Sequence, residues 1–257
     1  MHLLLALLLS FAWATPAAQD HYTALEHTLQ RVVGPTGNVR WKVLQTDHAE
    51  LDSFVTWLAG AGPGSTPALF PNRTARLAYL INAYNALVLS GVLPHYPTDS
   101  VMKIAGGAFF RTGSFVLDGK KTSLDQIEEA MRKSFRDPRI HYAINCGSKS
   151  CPPHWRETAD PDRLDAQLAE AEARILQNTR FVRLDGSAGI IELNKIFDWY
   201  SGDFAASAKS PAGNPATVVD YLKAHMPELY RPLLEGRKVW KVTYLEYDWG
   251  LNEAKTQ

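Results

Sequence analysis

Thirteen residues, "HYAINCGSKSCPP" at 141–153, hold one histidine and both cysteines of a 257-residue chain. Imidazole and thiol in such proximity support three chemistries: a disulfide-closed loop, a metal site, or a nucleophile beside its base. The "GSKS" loop between Cys146 and Cys151 is flexible enough to bring their α carbons to a bridging separation of about 5.5 Å. A thiolate in the same loop has Lys149 and backbone amides to hold its charge. His141, Cys146, Cys151 and His154 are ligand types that zinc accepts, but their spacing is not that of a standard finger, and we assign neither metal nor cofactor.

The surrounding pattern bears on which of these the chain can build. "RIHYAIN" alternates Ile140, Tyr142 and Ile144 with His141, Ala143 and Asn145, which predicts a strand. Five residues of strand extend about 16 Å, whereas a base takes a thiol proton from roughly 3 Å. A His141–thiol pair therefore requires the chain to bend before Cys146, or the loop to return Cys151. Glu128 lies on the inward stripe of the preceding helix, where a buried carboxylate needs a partner. His141 is the candidate, with Glu128 holding one ring nitrogen and leaving the other as a general acid or base. Asn82 and Asn85 interrupt an apolar helix one turn apart; buried amides must find partners, in loop backbone or in a cleft.

Several elements have to carry these groups. Leu25, Leu29 and Val32 recur at helical spacing before Gly34, and Leu51, Phe54, Val55 and Leu58 repeat the pattern before a Gly/Pro loop. "TARLAYLINAYNALVLSGVLPHYP" is apolar almost all round and belongs at the centre of a domain. Beyond residue 105, "AFFRTGSFVLDGKKTS" reads as a hairpin with Asp118-Gly119 at its turn. Ser123 and Gln126 are spaced as a capping box for a helix with Leu124, Ile127 and Met131 inside, which Asp137-Pro138 ends. An amphipathic helix through Leu164, Leu168, Ala171 and Ile175 follows, then a hairpin, "RFVRL" with "IIELN". Helices near "KIFDWYSGDF" and "PATVVDYLKAHM" precede a closing strand in "KVWKVTYLEYDWGL". The implied class is α+β: N-terminal helices, a buried central helix, and a mostly antiparallel sheet with hairpins packed by helices.

An apolar run from Leu3 to Trp13, followed by small residues, predicts a signal peptide over 1–18. The remaining 19–257 is expected to form a single domain, secreted or periplasmic. No second apolar run is read as spanning, so no membrane association is expected after cleavage. Twenty-seven basic residues balance 27 acidic ones, leaving no net field to draw in nucleic acid. Asn72-Arg73-Thr74 matches a glycosylation triplet.

"AYLINAYNALVLSGVL", "TSLDQIEEAMR", "DPRIHYAINCGSKSCPP", "LNKIFDWYSGDF" and "VTYLEYDWGLN" closely resemble the successive motifs of the domain of unknown function numbered 547 (DUF547). That family occurs in exported bacterial proteins and in plants. The resemblance places Asn82, Tyr84 and Asn85 on its Asn-x-Tyr-Asn helix, Glu128 on its Ile-Glu pair, and His141, Cys146, Lys149 and Cys151 on its signature block. Glu129 stands where the family usually has histidine, and His154 where it usually has an aliphatic residue. The resemblance implies no activity.

From the residues, the leading expectation is a cysteine-dependent hydrolase or acyl transferase acting on a small molecule or peptide-like ligand. A loop cysteine attacks, His141 is the base, Glu128 orients it, and Asn85 or loop amides stabilise an oxyanion. The other expectation is a non-catalytic binding or scaffold domain with a Cys146–Cys151 disulfide.

Overall fold

A computed structural model describes residues 16–112, 115–209, 214–236 and 239–254. The apolar run at 3–13 lies outside the described residues, and the first helix starts at Pro16, inside the 1–18 span. The architecture is α+β. Helices α1 (Pro16–Val32), α2 (Trp41–Thr46) and α3 (Ala49–Gly60) lead into the long α4 (Arg73–Val92). Tyr22 of α1 meets Phe54 and Trp57 of α3 edge-on at 5.5 and 5.4 Å, so the expected N-terminal stripes face each other.

Helix α4 is the core of the domain, with buried residues on every face from Ala75 to Val92. Its start is set by Asn72, whose side chain accepts the Ala75 N–H at 2.8 Å and caps the helix. Extended to His95, this 23-residue segment is long and apolar enough to cross a membrane by length and composition, which corrects the reading that no second run reaches that length. Its most apolar stretch is 72% buried by the rest of the protein.

A hairpin of β1 (Phe115–Leu117) and β2 (Lys120–Thr122) follows, turning at Asp118-Gly119, whose φ values of 53° and 75° suit a two-residue hairpin turn. Helix α5 (Leu124–Phe135) opens on the capping box of Ser123 and Gln126, with both reciprocal hydrogen bonds formed. It packs along α4.

The next segment departs from the expected strand. Residues Ile140–Ala143 form one turn of helix, α6, and all four are buried. The Asp137-Pro138 turn starts it: the Asp137 side chain accepts the Arg139 N–H at 3.0 Å, and the carbonyls of Asp137 and Pro138 accept the Ile140 and His141 N–H groups. Alternation misled because both sets of residues point into protein, so there is no solvent face for a period of two to mark. A helical rise of about 1.5 Å per residue, against about 3.3 Å in a strand, also shortens the separation expected between His141 and Cys146.

Helix α7 (Leu164–Leu176) lies against α6. Strands β3 (Val182–Asp185) and β4 (Ile190–Leu193) form the second hairpin. Helices α8 (Ile196–Trp199), α9 (Ser201–Ser207), α10 (Val218–His225) and α11 (Arg231–Glu235) precede β5 (Lys241–Tyr244). That last strand joins β4 in parallel, so the three-stranded sheet is mixed. Two of the three strand pairings among the described residues are antiparallel.

Candidate active site

After α6 the chain turns into the cysteine loop, which is held by a buried amide network. Asn85 of α4 accepts the Asn145 N–H at 2.9 Å and donates to the Ala143 carbonyl at 2.9 Å. Asn145 then organises the loop from inside: its Oδ1 accepts the Gly147 N–H at 2.7 Å and the Asn252 amide at 3.0 Å, and its Nδ2 donates to the Pro152 carbonyl at 2.6 Å. Asn82 plays the matching part on the next loop, accepting from and donating to the backbone of Ala159. Gly147 sits at φ 84°, and a Cβ there would come within 3.0 Å of Val101. Only glycine turns this corner without strain.

The C-terminal segment runs alongside the loop. Lys149 and Ser150 N–H groups donate to the carbonyls of Gly250 and Asp248, and the Asn252 N–H donates to that of Gly147. This pairing brings Tyr247 and Trp249 beside the cysteines. They join Tyr84, Asp125, Glu128, His141, Cys146, Cys151, Trp199 and Tyr200 around one cavity of about 200 Å³.

Cys146 and Cys151 are free thiols with sulfurs 2.7 Å apart, beyond the bonding distance of about 2.05 Å. The loop does bring them within bridging reach. The Cys151 S–H donates to the Cys146 sulfur, which also contacts the hydroxyls of Ser148 at 3.0 Å and Tyr247 at 3.5 Å. Burial pushes the Cys146 thiol up, but hydrogen bonds from Cys151, Ser148 and Tyr247 outweigh it and bring it down to about 7. The Cys151 thiol moves the other way, pushed up by burial and by the charge that collects on Cys146. Lys149, expected to help, is turned instead toward Asp248 at 3.9 Å.

Tyr247→Phe removes one of the groups holding the charged sulfur. A hydrogen bond to a charged group is worth roughly 1.5 kcal/mol, or about one pH unit. The midpoint of Cys146 alkylation by iodoacetamide, followed against pH, is expected to rise by about that amount; an unmoved midpoint would show that Tyr247 does not act on the thiol.

His141 is 3% exposed. Its acidic partner is Asp203 of α9: Nε2–H donates to Oδ2 at 2.8 Å. Arg132 of α5 grips the same carboxylate through Nε at 2.6 Å and a terminal nitrogen at 3.2 Å. His141 and then Arg132 hold the Asp203 carboxyl well below the usual carboxylate range, against the opposing effect of burial. The expected Glu128–His141 hydrogen bond is therefore corrected to Asp203–His141. Glu128 instead accepts from the Tyr200 hydroxyl, and burial raises its carboxyl despite that bond. The Tyr200 ring stacks on His141 at 3.8 Å, so Glu128 steadies the imidazole through a ring, not by holding its nitrogen. Asp203 escaped sequence reading because it lies 62 residues from His141; the "SGDF" motif carried it with nothing to say what it met.

Asp203 supports stability as well as orientation. Its depressed carboxyl contributes fully above the unfolded value of about 3.9 and loses that contribution as pH falls through the folded value. Asp203→Asn is expected to cost roughly 1–2 kcal/mol at pH 7, allowing for its solvent-facing edge. In urea titrations the gap from wild type should close toward pH 2; a gap independent of pH would refute the ion pair as its source.

Two further expectations change. Among the described residues no hydrogen bond joins His141 to either sulfur, so the resting site is not a direct thiol–imidazole dyad. Asn85 does not line the cavity, and both atoms of its amide are engaged by backbone, which makes it a positioning residue and not an oxyanion donor. The loop amides are engaged too: the Cys146 N–H donates to the Cys151 sulfur at 3.0 Å and the Gly147 N–H to Asn145. Tyr84, which the resemblance placed on the motif helix without a role, belongs to the site, its hydroxyl set among Glu128, Cys146, Cys151 and Tyr200. His154 belongs elsewhere, buried beside Gly37 in a separate groove. Its Nδ1–H donates to the Trp155 carbonyl, and burial lowers its pKa to about 4.

Residues 70–176 match the family model described as "Protein of unknown function, DUF547". The chain carries a DUF547 domain. No curated protein and no solved structure matches it. The matched segment runs from just before α4 to the end of α7 and so contains Asn85, Glu128, His141, Cys146 and Cys151. Asp203, Tyr200 and Tyr247 lie beyond it, yet they supply the carboxylate, the stacked ring and a thiol hydrogen bond around the DUF547 residues.

Proposed function

We propose that this DUF547 protein is a cysteine-dependent hydrolase or acyl transferase that works after export, in a secreted or periplasmic setting, on a small molecule or peptide-like ligand. One observation carries the reading: Cys146, with its thiol drawn down to about 7, opens onto the same cavity as a histidine held by a carboxylate. Near neutral pH a large fraction of that sulfur is already thiolate, so attack on an acyl carbon requires no base at the first step. The Tyr84 hydroxyl is the donor placed to meet a developing oxyanion. His141, oriented by its hydrogen bond to Asp203, hands a proton to the leaving group and then takes one from water or another acceptor. Trp199, 46% exposed, and Trp249 stack at 5.6 Å and supply an apolar wall for the substrate.

The test is covalent trapping. Fully reduced protein mixed with an activated aryl ester is expected to carry the acyl group on Cys146, found by peptide mass spectrometry, and to release it by turnover. His141→Ala should accumulate the acyl-enzyme, because deacylation lacks its base. Acylation scattered over lysines, or none on Cys146, would remove the proposal and leave the reading of a non-catalytic binding domain.

A further inference from the structure

The two sulfurs divide a task that acyl transfer does not need. Both line the cavity, but Cys146 is half-buried whereas Cys151 is only 9% exposed. They are 2.7 Å apart, so a bond of about 2.05 Å requires them to close by less than an ångström. Asn145 pins the chain on both sides of the two cysteines' loop, accepting the Gly147 N–H and donating to the Pro152 carbonyl, and Ser148 pairs with Leu251 within it, which holds the sulfurs near one another. The Cys146 N–H already points at the Cys151 sulfur at 3.0 Å, a donor for the charge that sulfur takes on when it loses its proton. An acyl-transfer nucleophile needs one thiol; an attacking thiol in contact with a second, more buried thiol is the arrangement of a dithiol exchanger.

We propose that Cys146 and Cys151 form a dithiol that reduces low-molecular-weight disulfides, with Cys146 attacking and Cys151 resolving. The Cys146 thiolate attacks one sulfur of R–S–S–R′, forming a mixed disulfide and expelling R–S⁻, which takes up a proton. Cys151 then gives up its proton and attacks the Cys146 sulfur; the bond between that sulfur and the sulfur of R′ breaks, and R′–S⁻ leaves and takes up a proton as the second thiol. Two protein thiols are oxidised to one disulfide while the substrate disulfide is reduced to two thiols. A cavity of about 200 Å³ fronts the attacking sulfur, which suits a small disulfide and shuts out the surface of a folded protein. The lowered thiol pKa places Cys146 near the optimum for such attack at neutral pH.

The chain has only two cysteines, so their oxidation state can be read without ambiguity. Reduced full-length protein is incubated anaerobically with oxidised glutathione, then maleimide-labelled and weighed intact. Wild type is expected to lose both thiols together, to release two glutathiones and to retain no adduct. Cys151→Ser should hold one glutathione on Cys146 as a stable mixed disulfide, and Cys146→Ser should react at least ~100-fold more slowly. A lasting glutathione adduct on wild type, or two free thiols after free cysteine at the same pH has reacted, would overturn the proposal without recourse to either variant. Aryl-ester turnover measured on the same samples keeps the two activities apart: exchange without turnover leaves this inference standing, and turnover without exchange removes it alone.

Discussion

Cys146→Ser lowers aryl-ester turnover at least ~1,000-fold while leaving the urea midpoint close to that of wild type; this is the largest functional effect expected. Serine keeps the shape and the hydrogen bonds with Ser148 and Tyr247, so the loop has no reason to move. It loses the charge. A hydroxyl cannot be brought near neutrality by the two hydroxyls and one thiol that bring the Cys146 sulfur to about 7. The wild-type rate should accordingly rise with pH through about 7 and then level, as the sulfur deprotonates. A serine variant within tenfold of wild type, or a rate indifferent to pH across that range, would show that another group does the attacking.

Asn145→Ala is expected to be the most damaging structural substitution, costing about 3–5 kcal/mol. The side chain is buried and serves three partners: the Gly147 N–H, the Asn252 amide and the Pro152 carbonyl. Alanine leaves all three without their partner in a place water does not reach, and each such loss costs about 1–3 kcal/mol. Because Asn252 also accepts the indole N–H of Trp41 at 3.1 Å, the damage extends toward the N-terminal helices. Urea denaturation followed by tryptophan fluorescence measures the loss. A variant less than about 1 kcal/mol weaker would mean that the loop satisfies itself in some other way.

The contrast between these two positions shows what could be read in advance. The cysteines announce themselves by chemistry, whereas Asn145 is one amide in an apolar run, and its importance follows from groups at 147, 152 and 252. Asn85 was legible as a buried amide in need of a partner and was given a catalytic part; its partners turned out to be the backbone on either side of Ile144. Glu128 was legible as an inward carboxylate, but the imidazole went to Asp203, because α9 presents that residue to both His141 and Arg132. The parallel pairing of β5 with β4 likewise has no local signature, since the residues of a strand do not say which neighbour it joins.

What this sequence determined alone was whatever depends on neighbours a few residues apart: the capped start of α5, the Asp118-Gly119 turn, the apolar central helix, and a histidine and two thiols within thirteen residues. Tertiary structure decided the conformation at His141, the identity of its carboxylate, and the Tyr247 contact with the Cys146 sulfur across 101 residues. Short-range order comes from backbone geometry and side-chain spacing, which are written along the chain. A buried hydrogen bond or ion pair is settled by which groups remain unsatisfied once all the helices have packed, and no local stretch contains that information.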